Sequence, residues 1–207
     1  MFTVQDIPAP ELLYDYYGFP PEAYSLEYAA PVAHELGQWT AELLTRSKMA
    51  LQSDATRGYD HGVFVPLKLM YPDADIPCLQ LSLREDMDPA AHIALGRALA
   101  PLRARNVLIL GSGSSFHNMT AFKDGDVGLQ ACARFDNWLD ETCCNADSAA
   151  IERALLQWAA APDARYAHPR EEHLLPLHVC FGAAEASAER VFSGDMMGYR
   201  MGAYLWT

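Results

Sequence analysis

Seven histidines, at positions 34, 61, 92, 117, 168, 173 and 178, are the residues best placed to do chemistry near neutral pH. An imidazole can take or give a proton there, or donate a lone pair to a metal. Four of them fall in loops or at helix starts. His61 lies in Asp60-His61-Gly62, and His117 follows the run Leu110-Gly111-Ser112-Gly113. His168 and His173 bracket His168-Pro169-Arg170-Glu171-Glu172-His173. Their separation of five is not the i, i+4 spacing of two zinc ligands on one helix face. Taken singly, each of the four has a structural reading. Together, beside strand ends and helix starts, they shift the balance toward one shared site. His34 and His92 fall inside predicted helices and read as solvated or core residues, and His178 reads as packing.

Other chemistries are poorly supported. The glycine-rich loop from Gly111 has no Lys-Ser/Thr to close a phosphate cradle, and it lacks the third glycine of a dinucleotide fingerprint. It also lacks the Gly-x-Ser-x-Gly elbow, so a hydrolase built on His117 and the neighbouring serines is the weakest enzyme reading. Cys78, Cys132, Cys143, Cys144 and Cys180 are odd in number and form no Cys-x-x-Cys pair. They read as reduced, small apolar residues in a cytoplasmic chain.

The elements that must position these histidines alternate. Helical spacing runs from Pro31 to about Met49, and a short apolar helix covers Val63 to Tyr71 with Pro66 in its first turn. The stretch Ile76–Leu83 ends in a period-two strand pattern. Asp88-Pro89 caps a helix to about Arg105. Val107–Leu110 reads as a strand buried on both faces. This order predicts a parallel crossover unit between Ile76 and Leu110. Helices follow at about Val127–Cys143, Asp147–Ala160 and from Leu174 to near Gly182, with a last strand in Met196–Trp206. The opening, Ile7-Pro8-Ala9-Pro10 through Tyr14–Tyr24, is irregular and so aromatic that it must lie on apolar surface. The carboxylates Glu35, Glu42, Asp136, Asp140 and Glu152 fall on solvated helix faces. The fold class is α/β.

Length and charge narrow the partners. The chain has 207 residues, a net charge of −12 and 51 % hydrophobic residues. That is one domain's worth of chain with ample core. The acidic balance argues against nucleic acid, which needs a basic footprint, and against an anionic membrane surface. No apolar run approaches the roughly 18–20 residues of a spanning helix, and Met1–Asp6 shows no secretory signal.

Beyond these patterns, the chain resembles the class III extradiol ring-cleavage dioxygenases of the LigB superfamily, in particular the DOPA 4,5-dioxygenase-like branch. The resemblance rests on Tyr14-Asp15-Tyr16-Tyr17-Gly18-Phe19-Pro20, on Tyr59-Asp60-His61-Gly62 with Val65-Pro66-Leu67, and on Tyr71-Pro72-Asp73-Ala74-Asp75-Ile76-Pro77. It continues through Gln80-Leu81-Ser82-Leu83, Leu110-Gly111-Ser112-Gly113 with His117-Asn118, and His168–Leu177, in the family's order. It implies one LigB-like domain over 1–207, with a mixed or parallel central sheet flanked by helices. It also implies a non-haem metal, Fe(II) or Zn(II), with dioxygen as co-substrate and a catechol as substrate. By resemblance, His117 is the acid/base or metal-proximal histidine, and His173 is a metal ligand or stands beside one. His61 contacts the catechol or oxygen, and His168 supports the catalytic site.

The family's Ser-His-Gly and Ser-Ala-His-Trp-like strand ends, whose histidines bind the metal, do not occur in these 207 residues. The first two strands are therefore expected to be missing, and a site left with His117 and His173 would bind a divalent metal weakly. Two readings follow: a ring-cleavage dioxygenase, or a non-catalytic family member that serves as a binding or oligomerisation module. An open central edge predicts a homo-oligomer in either case.

Overall fold

The computed structural model of the chain describes residues 1–8 and 10–207. Ala9, part of the irregular opening, lies outside the described residues. The chain divides into two compact units, Met1–Glu85 and Asp86–Thr207.

In the first unit, strand β1 (Phe2–Gln5) pairs in parallel with β2 (Leu51–Asp54), in the register Phe2 to Leu51 through Gln5 to Asp54. Helix α1 (His34–Arg46) lies between them in the chain. Parallel strands need a long connection of this kind. A parallel pair is thus present here, and not in the Ile76–Leu110 crossover unit that the sequence pattern predicts, which does not form. The stretch Ile76–Leu83 is no continuous strand. It touches Val32 through Cys78 and Val4 through Leu81 by isolated bridges. Pro77 has no N–H to donate, so an unbroken ladder is denied it.

Helix α2 (His61–Met70) starts two residues before the predicted position, which places Pro66 beyond the first turn. Its Phe64 is buried with Tyr28, Ala30 and Tyr59. Tyr14 and Tyr16 pack against this cluster, which is the apolar support their density required. Tyr17 and Phe19 remain exposed.

The second unit is mainly helical. Asp88 accepts a hydrogen bond from the Ala90 N–H, 3.1 Å away, and caps α3 (Pro89–Leu99) as its sequence foretells. A 3-10 segment, Ala100–Arg105, extends it and stops at Asn106 in the left-handed region. Then come α4 (Asp126–Cys143), α5 (Ser148–Leu156), the short α6 (Ala164–Ala167) and α7 (Leu175–Ala184). The chain closes in an antiparallel hairpin of β3 (Glu189–Met196) and β4 (Tyr199–Leu205), with a register shift between Arg190 and Phe192. Helices α3 and α7 cross with their backbones in contact. A Cβ on Gly96 would lie 2.1 Å from the Val179 carbonyl, and one on Gly182 would lie 2.1 Å from the Ile93 carbonyl.

Two expectations fail here. Val107–Leu110 forms no strand, and Leu108 and Leu110 are 56 % and 41 % exposed. Among the described residues, no backbone hydrogen bond ties this stretch to another segment. An apolar run marks a segment that wants burial on two faces, but it does not supply the neighbour. The strands of the α/β fold therefore gather in two two-stranded sheets. The second failure is Asp136 on α4, read as solvated but 3 % exposed. Both its oxygens take hydrogen bonds from Arg190 Nη2, at 2.8 and 3.0 Å.

Candidate functional site

The loop after Leu110 is stitched to the segment that carries His168 and His173. The Ser114 N–H donates to the His173 carbonyl and the His117 N–H to the Ala167 carbonyl, each at 3.0 Å. Asn118 Nδ2 donates to the Tyr166 carbonyl at 2.7 Å. Gly113 permits this approach, since a Cβ there would lie 2.2 Å from the His173 carbonyl. The Gly-rich loop thus serves close backbone packing, not a phosphate.

This stitching brings two of the predicted residues together. The rings of His117 and His173 lie with centroids 3.5 Å apart, tilted by 53°. Imidazoles brought together in this way can exchange a proton with a ligand's hydroxyl, or offer nitrogen donors to a metal.

His168 has a different place. Its ring is fully buried, edge-on to Phe135 at 5.3 Å and to Trp158 at 6.2 Å between centroids. Burial pushes its pKa down to about 4. The bond to Ser115 opposes that shift, and the nearby charge of His117 adds to it. The ring is therefore neutral. Nε2 lies 3.1 Å from the Ser115 carbonyl, an acceptor, so the proton sits on Nε2. His168 holds the loop two residues before His117.

His61 belongs to the first unit, as the first residue of α2. Its Nδ1 lies 2.6 Å from Asp15 Oδ1. Sequence reasoning missed Asp15. Its only trace is its place in the aromatic run Tyr14-Asp15-Tyr16, where a lone carboxylate among rings asks for a partner.

Of the remaining histidines, His178 is buried in α7, in line with its packing reading, and His92 is buried in α3, the core one of the two roles its position allowed. The five cysteines are free thiols. Cys132 and Cys143 are buried, but Cys144 is exposed.

The sequence pattern described as the catalytic LigB subunit of aromatic ring-opening dioxygenase matches residues 3–203. The chain belongs to the LigB family. Within that family it lies close to the 4,5-DOPA dioxygenase branch. It is 39 % identical over 204 residues to the 4,5-DOPA dioxygenase extradiol of Beta vulgaris, a match covering 95 % of this chain and 74 % of that protein. It is 37 % identical over 183 residues to the protein of the same name from Mirabilis jalapa, covering 88 % and 67 %. A crystal structure of an uncharacterized Escherichia coli K12 protein superposes with a TM-score of 0.73 at 26 % identity, covering 98 % of this chain and 78 % of that one. This LigB-family chain thus spans about two thirds to three quarters of these curated relatives.

The family resemblance implies a non-haem metal. Among the described residues, no group of three or more His, Cys, Asp or Glu side chains could hold a metal ion. Firm sites need three or four protein donors. His117 and His173 supply two, and by themselves they do not fit a firmly held metal.

Proposed function

We propose that this chain acts as a catechol-binding and assembly module of the LigB family. In this reading it keeps the imidazole side of a ring-cleavage site without completing a metal cage of its own. The observation that carries the reading is the His117–His173 pair, built by the Gly113 approach and the Ser114 and His117 backbone bonds. His117 is the residue that exchanges a proton with a phenolic hydroxyl, and His173 presents a second nitrogen beside it. His168 acts through the loop it holds; His61, in the first unit, is proposed separately as a residue that contacts a catechol. The match to the family pattern runs through both units, which supports treating them as one LigB-like domain.

The exposed Leu108 and Leu110, on a stretch with no backbone–backbone hydrogen bond to another segment among the described residues, support self-association through that surface. Free thiols at all five cysteines support a reducing, cytoplasmic setting. Among the described residues, no helix is long and apolar enough to cross a membrane.

The second reading, ring opening with Fe(II) and dioxygen, is favoured by the names of the relatives, which are extradiol dioxygenases. Titration calorimetry with DOPA and with protocatechuate, on metal-free protein, separates the two. The module reading expects saturable binding that weakens at least tenfold in His117→Ala, with a species larger than a monomer in light scattering. No binding without ferrous iron, together with a ring-opened product once iron is added, would overturn it in favour of the enzyme.

A further inference from the structure

Asp15 and His61 are 46 positions apart, yet one oxygen joins them twice. Asp15 Oδ1 lies 2.6 Å from His61 Nδ1 and 3.2 Å from the His61 backbone N–H. The second contact satisfies a donor that α2 leaves open at its first turn, and the positive helix end favours an anion there. The residue in the capping position, Asp60, does not do this with its side chain. Its Oδ2 accepts instead from Arg57 Nη2 and from Gln80 Nε2, each at 2.8 Å. Arg57 Nη2 also stands 4.0 Å from Asp15 Oδ2. Partial burial works against ionisation of Asp15. The hydrogen bonds and charge of His61 outweigh it and hold the carboxyl below its ordinary range. An ionised carboxylate can only accept, so Nδ1 must donate.

We propose that Asp15 is a positioning residue that fixes His61 in the Nδ1–H tautomer, so that the neutral ring presents its accepting lone pair at Nε2. Tyr16 sets the ring plane from the side, edge-on with centroids 6.1 Å apart. The His61 side chain stays 43 % exposed. The group that such a nitrogen receives is a hydroxyl donor on an aromatic ring, a phenol or catechol, beside the neighbouring tyrosines. This last step rests on the reading of His61 as the residue that contacts the catechol; the tautomer assignment does not.

Long-range proton–nitrogen correlation spectra of the full chain, with histidine rings labelled, read the tautomer directly at a pH where His61 is neutral. The wild type is expected to show Nδ1 protonated and Nε2 unprotonated. Asp15→Ala is expected to turn the ring to mainly Nε2–H. Asp15→Asn, which keeps the shape and removes the charge, is expected to give a mixture, and it serves if the alanine variant does not fold. A wild-type ring protonated at Nε2, or a variant ring unchanged from wild type, overturns the proposal. Added catechol is then expected to shift the His61 Nε2 signal. If the tautomer behaves as stated but catechol leaves Nε2 unmoved, the positioning role stands and the ligand reading of His61 falls.

Discussion

Acidification from pH 7 to pH 4 will cost the folded chain on the order of 3 kcal/mol for each of two buried histidines, His168 and His178. Both rings are fully buried and neutral. For His178, burial pushes the pKa down to about 4, the carbonyls of Leu155 and Leu174 oppose the shift, and His92 adds to it. Its Nε2 lies 3.0 Å from the Leu155 carbonyl and its Nδ1 3.4 Å from the Leu174 carbonyl. A neutral imidazole has one N–H, so only the shorter contact is a full hydrogen bond.

In the unfolded chain these rings take up a proton at about pH 6.5; in the folded chain they resist until about pH 4. Between these values the unfolded state binds more protons, so stability rises with pH. The contribution is complete above pH 6.5, shrinks as pH falls toward 4, and is gone below that. The two together rival the whole stability of a typical domain, about 5–15 kcal/mol. Urea unfolding at half-unit pH steps will show the slope, and His178→Gln will remove about half of it. Stability that is flat from pH 7 to pH 5 would contradict the burial argument.

The second large effect is where Arg190 of the hairpin meets α4. Asp136→Ala will destabilise the chain toward the lower end of about 3–5 kcal/mol, because it removes the nearer carboxylate from the Arg190 guanidinium and leaves it with Asp140, whose Oδ2 stands 3.8 Å from Nη1. Arg190 is itself largely buried, with its guanidinium 5.9 Å from the Tyr204 ring centre. Asp136→Asn keeps one acceptor and will cost less. Chemical denaturation of the two variants at pH 7 checks both values. A loss below about 1 kcal/mol for the alanine variant would mean that the pair is no stronger than a surface ion pair.

Helices were the most legible part of the sequence. The Asp88-Pro89 cap and the spacing of α1, α4 and α7 are local features, written within a few residues. Strand pairing is not local. Val107–Leu110 carries the composition of a buried strand, but composition cannot say whether a partner is present. Strand β1 is four residues long, and its partner β2 lies 49 positions away, so neither stands out by pattern. Asp136 was misread for the same reason, since its cation arrives from a strand 54 positions later. At the candidate site, His117 and His173 were legible as loop histidines, but their 3.5 Å approach depends on Gly113 meeting the His173 carbonyl, which no spacing rule reports. Asp15 was invisible as a partner of His61 because the pair is joined by the fold alone.

Metal affinity tests the central claim most directly: the chain presents two convergent imidazoles, not a complete metal cage. Zinc or ferrous iron is titrated anaerobically into metal-free protein, with His117→Ala and His173→Ala in parallel. The account predicts weak binding, lost after one pass of gel filtration and weakened further in both variants. One metal per chain retained through that column, with ring-opened product from DOPA in air, would contradict it.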